Sequence, residues 1–511
     1  MSTVKDPAKL PARTTHISVG TIFLLCLGYN LWAVSIGWWN SILGWHAMRQ
    51  CQTALSVYWL LHGGSWVAYE TPVLGAPWSL PLEFPLYQWT VAVAVKLFST
   101  PLDQTGRMIS LLYFYLTFAP AYYLLRQLRV RRCYTLVFFA MLLVSPQYVF
   151  WSRTFMIESA ALFLAMCYLA GVARYLESRG RLAAVFAAVS GMLAGAVKVT
   201  TFVPFCIASA PLVLARARRF RFQPSDIARV AVPFFVIPAS GTLAWTYYAE
   251  AQRAANPLAG FLTSLGLTSW FFGTVAQRIN GELWHALVND TIPDAIGNCW
   301  VWVGGMIALC IAPQRWRHAC VCLALFASSE LIFSNLWINH NYYAYANSLF
   351  LVAALGFAVV SLLERPDRRR YLGLALFVSA TIVAANAHYR RCFLAQEQNV
   401  TSALALDLKA MTQPDDVLLV YGLDWDSKLP YYANRRALMD PGNRAFDKPE
   451  MRAALDNLKG YHVGAAVFCN DARAMPALIG QAQRAFHLRP SGLPGDCDVY
   501  LAAARDPTDS P

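Results

Sequence analysis

Apolar runs long enough to cross a hydrocarbon layer of about 30 Å recur along most of this 511-residue chain. Hydrophobic residues make up 57% of the sequence and charged residues only 14%, whereas soluble domains carry roughly 25% charged residues. This pattern predicts an α-helical polytopic membrane protein with about eleven transmembrane helices. The first helix covers about residues 17–38, and the others centre near Leu116, Met141, Phe163, Val189, Ala208, Phe235, Met306, Leu325, Ala353 and Phe377.

The basic residues indicate how the chain is oriented. The net charge is +13, but it comes from short runs of Lys and Arg between apolar segments, which argues against a nucleic-acid partner. Because cytoplasmic loops are enriched in Lys and Arg, we expect residues 1–16 in the cytoplasm and loops 39–107 and 249–293 outside. The cytoplasmic clusters are Lys5/Lys9/Arg13, Arg126/Arg129/Arg131/Arg132, Arg174/Arg179/Arg181, Arg216/Arg218/Arg219/Arg221, Arg315/Arg317 and Arg365/Arg368/Arg369/Arg370.

The apolar segment 85–100 does not fit this orientation as a simple crossing. If it crossed, the Arg126–Arg132 cluster would lie outside. We therefore predict a juxtamembrane or re-entrant helix in the first outer loop, within a transmembrane domain that extends over residues 17–390. An ordinary span with a topology exception is the alternative.

Residues 401–505 have a different character and predict a small α/β domain. A helix is expected over 402–411 and strands over 417–422, 465–469 and 498–502. By helix parity this domain lies outside the membrane. Cys469 and Cys497 fall within it, and they are either a disulfide that contributes roughly 3 kcal/mol or two buried thiols.

Polar side chains are dense in the first outer loop. His46, Arg49, Gln50 and Gln52 follow the first apolar run and form a donor-rich patch suited to a phosphate or to sugar hydroxyls. Glu83 comes just before a Phe-Pro pair and is a candidate general base. The alternative for Glu83 is a solvated loop carboxylate.

Two further polar positions lie at the outer ends of later spans. Arg153 can hold a phosphate, and Glu158 follows it at the start of a helix, where a carboxylate is favourable to the helix dipole. Lys198 lies between two closely linked apolar stretches and either binds an anion or extends to the interface. A salt bridge from Glu158 to Arg153 is the structural alternative for that pair.

The segment His340-Asn341-Tyr342-Tyr343 opens another span at the outer face. An interfacial aromatic belt explains Tyr342 and Tyr343, but it explains His340 and Asn341 less well. Cations and carboxylates thus recur at the outer ends of different spans, a pattern that suits a phosphate-bearing lipid donor and a hydroxyl acceptor.

The order of these motifs resembles the GT-C superfamily of integral-membrane glycosyltransferases, in particular the protein O-mannosyltransferases and the lipid A aminoarabinose transferases. The resemblance covers roughly residues 17–363. The motifs that carry it are Glu83-Phe84-Pro85-Leu86-Tyr87-Gln88-Trp89, Ser152-Arg153 with Glu158, Gly191 and Gly195 with Lys198, and His340-Asn341-Tyr342-Tyr343.

The resemblance implies an enzyme that moves a hexosyl or pentosyl group from a polyprenyl-phosphate donor to a glycan, lipid or protein acceptor. It implies that Glu83 lies near the acceptor and that Arg153, Lys198 and His340 lie near the donor phosphate. Many relatives carry an acidic pair where this chain has Arg49-Gln50-Cys51-Gln52, so Glu83 and then Glu158 are the candidate bases. A lysine of the aminoarabinose transferases is replaced here by Phe84, which argues against that activity.

The resemblance also implies a bacterial inner-membrane protein in contact with lipid, with its active site and C-terminal domain on the periplasmic side. We expect no cofactor, and a divalent metal is left open but is not indicated by the spacing of Cys and His. Two alternatives remain: a flippase or transporter of lipid-linked saccharides, and a non-catalytic subunit that keeps the fold.

Overall fold

The computed structural model describes residues 12–220, 224–364, 368–396, 400 and 402–503, and it is mostly helical. Residues 1–11 of the predicted cytoplasmic N-terminus and 504–505 of the predicted C-terminal domain lie outside the described residues. Lys5, Lys9, Arg221 and Arg365 of the basic clusters lie outside them too. The chain divides into two compact units, which are formed by residues 1–38, 107–243 and 268–397 (unit 1) and by residues 39–106, 244–267 and 398–511 (unit 2).

The helices follow the apolar runs of the sequence. The longer α-helices are Ala12–Ser35, Ala47–Leu61, Leu86–Phe98, Leu102–Leu116, Phe118–Gln127, Arg132–Val144, Glu158–Ser178, Arg181–Phe220, Pro224–Ala231, Ile237–Arg253, Cys299–Ile311, Trp316–Ile332, Ala344–Leu363, Arg368–His388, Ala403–Met411, Pro449–Asp456 and Pro476–Phe486. The shorter ones are Pro146–Trp151, Thr268–Phe272, Val275–Ile279, Glu282–Ala286, Ile292–Ile296, Ser334–Asn339 and Lys428–Ala433. Single turns of 3-10 or π-helix extend several of them, at Val232–Val236, Ala259–Leu262, Leu287–Thr291, Pro313–Arg315, Asn341–Tyr343, Tyr389–Phe393, Leu394–Gln396 and Asn470–Ala474.

Five helical stretches among the described residues are long and apolar enough to cross a membrane, or six if a bent pair counts as one span. They are Leu102–Gln127, Glu158–Ser178, Arg181–Ala217, Asp226–Arg253 and Asn341–Leu363, with the pair Glu282–Ile296 and Cys299–Ile311. The predicted number of about eleven crossings therefore stays a prediction. The helix Leu86–Phe98 has 13 residues and is about 20 Å long, which is short for a crossing and fits the predicted juxtamembrane helix.

The stretch Arg181–Phe220 is continuous in helical hydrogen bonding but breaks at Lys198, which has φ −159° and ψ 93°. The side chain of Tyr168 contacts both arms of this stretch, because its ring adjoins Gly191 and its hydroxyl lies 3.2 Å from Oγ of Ser209. In a straight helix Gly191 and Ser209 would be about 27 Å apart. The chain therefore folds back at Lys198, and this residue occupies the tip of a helical hairpin.

Unit 2 is built on a five-stranded sheet of order β2-β1-β3-β5-β4. The strands are β1 (Val417–Tyr421), β2 (Arg436–Asp440), β3 (Val463–Cys469), β4 (Arg489–Pro490) and β5 (Cys497–Leu501). The pairs β1–β2 and β1–β3 are parallel, and the pairs β3–β5 and β4–β5 are antiparallel. The sequence predicts β1, β3 and β5 but misses β2, because Arg-Ala-Leu-Met-Asp has no β-branched or aromatic residue.

Residues 72–75 cover the edge of this sheet at β2. The backbone N–H of Gly75 donates to the carbonyl of Ala437 at 3.0 Å, and the N–H groups of Ala437 and Met439 donate to the carbonyls of Pro72 and Val73. An exposed sheet edge is a template for unwanted pairing, and this contact occupies it. Residues 39–106 belong to one compact unit with the C-terminal sheet, and the predicted extent of the transmembrane domain stays a prediction.

Cys469 and Cys497 form a disulfide between the paired strands β3 and β5. Closing a loop of 28 residues contributes about 3–4 kcal/mol in the chain-entropy model.

We expect the Cys469→Ser/Cys497→Ser variant to lose about that much stability in unit 2. In thermal proteolysis this unit should therefore be cleaved at a lower temperature than in the wild type. The wild type treated with reductant should match the variant, and equal resistance of the oxidised wild type and the variant would contradict the prediction.

Candidate functional site

In unit 2, Glu83 lies at the centre of a partly buried polar cluster. Its Oε2 accepts a hydrogen bond from Arg49 at 3.0 Å, and its Oε1 accepts one from Nε2 of Gln88 at 2.9 Å. Arg49 also donates to Oε1 of Gln52. The side chain of Glu83 is 9% exposed and that of Arg49 is 20% exposed, so the carboxylate is shielded but reachable. We call Arg49, Gln52, Glu83 and Gln88 the Glu83 cluster.

Two atoms of the Glu83 cluster are buried without a hydrogen-bond partner among the described residues. They are the donor Nε2 of Gln52 and the acceptor Oε1 of Gln88. A buried polar atom that lacks a partner is costly, so such an atom needs an explanation such as a bound water or substrate group. One is a donor and the other an acceptor, and they belong to two different residues of the Glu83 cluster.

Tyr69 fixes the backbone of this cluster. Its hydroxyl donates to the carbonyl of Glu83 at 3.0 Å and accepts from the N–H of Leu82 at 2.8 Å. Burial and the nearby Glu83 carboxylate raise the pKa of Tyr69 well above its usual range, so the hydroxyl stays protonated and remains a donor. Tyr69 was not predicted as a site residue, and Gln88 was named only as part of the Glu83–Trp89 motif.

The predicted binding residues His46 and Gln50 lie at the start of the same helix, Ala47–Leu61. His46 has φ 51°, and its carbonyl accepts from the N–H groups of Arg49 and Gln50. The Gln50 amide is buried and donates to the carbonyl of Trp45 at 3.0 Å. These contacts orient the first turn of the helix, and with it Arg49.

In unit 1, Lys198 and Glu158 form a buried ion pair. The Nζ atom of Lys198 lies 2.5 Å from Oε2 of Glu158, and the two side chains are 9% and 2% exposed. The same Nζ is 4.1 Å from the centroid of the Tyr343 ring and 5.3 Å from that of Tyr342, a cation–π arrangement. We call these four residues the Lys198 cluster.

The small-residue stretch before Lys198 has a packing reason. A Cβ atom added at Gly195 would lie 2.0 Å from Oγ1 of Thr242, so no side chain fits there. Glycine lets the hairpin approach the helix Ile237–Arg253 closely, and this approach contributes to where Lys198 is held. The second oxygen of Glu158, Oε1, is buried and has no hydrogen-bond partner among the described residues.

Arg153 and His340 have contacts of their own. Arg153 is 1% exposed, and its guanidinium donates to the carbonyls of Val34 at 3.2 Å and Ile36 at 2.5 Å, at the end of the first helix. The ring of His340 lies 5.5 Å from that of Trp270 and 5.3 Å from that of Tyr342. Arg153 therefore has a clear structural task, and the phosphate-binding roles of both residues stay predictions.

The predicted site residues thus fall into two groups, one in each compact unit. Unit 2 contains His46, Arg49, Gln50, Gln52 and Glu83, and unit 1 contains Arg153, Glu158, Lys198, His340, Tyr342 and Tyr343. Within the part of the chain that the structure describes, no group of three or more His, Cys, Asp or Glu side chains is placed to hold a metal ion.

Solved structures with a similar fold are membrane glycosyltransferases. ArnT from Cupriavidus metallidurans, bound to undecaprenyl phosphate, is 13% identical with a TM-score of 0.60 over 94% of this chain and 99% of that chain. The oligosaccharyltransferase AglB from Archaeoglobus fulgidus, in complex with an inhibitory peptide and a dolichol-phosphate, is 14% identical with a TM-score of 0.53 over 98% of this chain and 75% of that chain.

No protein-family model and no curated protein matches the sequence. At 13–14% identity the two structural matches establish the fold alone. Together with the apolar helices, they indicate an integral membrane protein.

Proposed function

Because this chain has the fold of the GT-C superfamily of membrane glycosyltransferases, we propose that it transfers a sugar from a polyprenyl-phosphate donor to an acceptor on the extracytoplasmic face. One observation carries the proposal: the similarity covers 99% of ArnT, a protein whose structure contains undecaprenyl phosphate. The sugar is a hexose or a pentose, and the acceptor is a glycan, a lipid or a protein.

Glu83 is the proposed general base. A carboxylate oxygen has two lone pairs, so Oε2 can accept from Arg49 and still take the proton of an acceptor hydroxyl. Arg49 and Gln88 hold the carboxylate in one orientation, which is what proton transfer over one hydrogen bond requires. The donor Nε2 of Gln52, which has no partner among the described residues, supports this role, because it can donate to the oxygen of an acceptor hydroxyl whose proton goes to Glu83.

Lys198 is the proposed partner of the donor phosphate. An ammonium group has three donors, so it can hold Glu158 and a phosphate oxygen at the same time. As the bond between sugar and phosphate breaks, charge grows on the phosphate, and a fixed cation stabilises that state. Arg153 and His340 are proposed as further groups at the phosphate, and Glu158 is the alternative base.

The decisive experiment uses the purified protein in lipid nanodiscs with labelled polyprenyl-phosphate sugars, one hexosyl and one pentosyl. Transfer of label to a lipopolysaccharide, glycan or protein fraction would support the proposal. Absence of transfer from both donors would overturn it. Movement of the intact labelled lipid across vesicle membranes, without transfer, would instead support a flippase.

The proposed outer location of the tail and the first loop gives a topology prediction. We expect a reporter that is active only outside the cytoplasm to give a signal when fused after Met411 and none when inserted within residues 126–132, because the latter segment is rich in Arg. The reverse pattern would place Glu83 and Lys198 on the wrong side for this reaction. Fusion of a cytoplasm-only reporter at the same two sites is the control.

A further inference from the structure

A buried acid–imidazole pair lies next to the His340–Tyr343 segment in unit 1. Oδ1 of Asp294 is 2.7 Å from Nε2 of His388, and both side chains are 6% exposed. Oδ2 of Asp294 accepts a hydrogen bond from the amide of Asn341 at 3.1 Å. On the other side of the imidazole, Sγ of Cys392 is 3.8 Å from Nδ1. If the thiol donates to Nδ1, then Nε2 carries the hydrogen that Asp294 accepts.

Asp294, His388 and Asn341 come from separate elements, so their contacts join distant parts of the chain. Asp294 belongs to the short helix Ile292–Ile296, His388 ends the helix Arg368–His388, and Asn341 begins the turn Asn341–Tyr343. The carbonyl of Asn341 also accepts a hydrogen bond from Gln147 at 3.3 Å. Asn341 is therefore held by its side chain and by its carbonyl, and these contacts fix the start of the turn Asn341–Tyr343.

That turn determines where the aromatic part of the Lys198 cluster lies. Tyr342 and Tyr343 follow Asn341 directly and stack on each other with ring centroids 4.7 Å apart. The Nζ atom of Lys198 lies over both rings. A shift of Asn341 would move the tyrosines relative to Lys198, because Asn341, Tyr342 and Tyr343 form one 3-10 turn and the next helix begins directly after it, at Ala344.

A buried ionisable pair among apolar helices is costly and usually has a function. We propose that Asp294 and His388 are positioning residues of the candidate site, which hold Asn341 so that Tyr342 and Tyr343 fix Lys198 for a lipid-linked phosphate. The identity of that ligand rests on the proposed function. The positioning itself does not, because every contact in it belongs to unit 1 of the protein alone.

The test measures how well Lys198 is held. Purified full-length variants are treated with an amine-reactive acylating reagent, and the labelling rate of Lys198 is followed by mass spectrometry. Asn341→Leu removes the hydrogen bond to Asp294 but leaves the Asp294–His388 pair in place. His388→Leu removes the imidazole, whereas His388→Gln keeps a side-chain donor for Asp294. Cys392→Ala is the matched control, since it removes only the contact at Nδ1.

We expect Lys198 labelling to rise roughly fivefold in Asn341→Leu and in His388→Leu, on the scale of one lost hydrogen bond. His388→Gln and Cys392→Ala should label at nearly the wild-type rate. Glu158→Gln, which weakens the ion pair directly, is the positive control for release of Lys198. Unchanged labelling in Asn341→Leu, with faster labelling in Glu158→Gln, would overturn the inference. If His388→Leu loses its folded thermal transition, its labelling is set aside and Asn341→Leu decides the test.

A second measurement separates this inference from the proposed function. Binding of undecaprenyl phosphate alone is measured for the same variants, and we expect weaker binding wherever labelling rises. A wild type that does not bind the lipid phosphate would contradict the proposed function but leave the labelling result standing. A wild type that binds, with Asn341→Leu binding equally well, would contradict the positioning role at the phosphate.

Discussion

Glu83→Gln is expected to slow sugar transfer by roughly 10²–10⁴-fold, the usual effect of losing a general base. The substitution keeps the size of the side chain, and the fold should tolerate it. In the wild type Gln88 donates to Oε1 of Glu83, and Oε1 of Gln88 has no partner among the described residues. Rotation of the Gln88 amide would therefore let it accept from the side chain of the Glu83→Gln variant. The measurement is the turnover rate with saturating donor lipid.

The matched control is Glu70→Gln. Glu70 is in the same loop, residues 62–85, and is also paired with an arginine, with Oε2 2.9 Å from the guanidinium of Arg436. That pair contacts the sheet edge and lies outside the Glu83 cluster, so transfer should proceed at nearly the wild-type rate. If Glu70→Gln were as slow as Glu83→Gln, the loss would reflect damage to unit 2 and not base catalysis.

Glu158→Gln decides between the two candidate bases. If Glu83→Gln keeps full activity, and Glu158→Gln abolishes transfer while still binding undecaprenyl phosphate as the wild type does, the base is Glu158 and the first loop only binds. The geometry leaves this outcome open to test, since Oε1 of Glu158 has no hydrogen-bond partner among the described residues. Full activity of both variants in an active enzyme would contradict base catalysis by either carboxylate.

Local sequence patterns predicted the features that depend on neighbouring residues. Apolar length indicated the membrane helices, and the apolar and β-branched runs indicated β1, β3 and β5. The position of Lys198 between two apolar stretches indicated a break, and the structure has the hairpin tip there. Each of these features depends on residues close together in the sequence, so a single sequence is enough to predict it.

Pairings between distant segments could not be read from one sequence. Residues 72–75 pair with β2 across more than three hundred residues, and nothing in either segment marks the partner. Asp294 and His388 were missed for the same reason, since an isolated Asp and an isolated His in apolar surroundings have many structural explanations. Glu83 was predicted by its motif, but the Arg49 contact that orients it comes from the fold.

Lys198→Ala is expected to destabilise unit 1 by about 3–5 kcal/mol, because removing one partner leaves the other charge buried and uncompensated. Glu158 would be that charge, at 2% exposure. The measurement is the free energy of unfolding of the purified protein in mixed micelles. The control is a variant of the exposed pair Arg174–Glu177. Arg174→Ala should produce no measurable change, since exposed ion pairs are screened by solvent.

The double variant Lys198→Ala/Glu158→Ala tests the reason for this loss. With both charges removed, no uncompensated carboxylate remains, so the double variant should be more stable than Lys198→Ala alone. It should nevertheless bind undecaprenyl phosphate poorly, because the proposed cation is gone. Stability that recovers while binding does not would show that Glu158 holds Lys198 in the free protein and that Lys198 itself serves the phosphate. A double variant less stable than either single one would show instead that the side chains act there by packing.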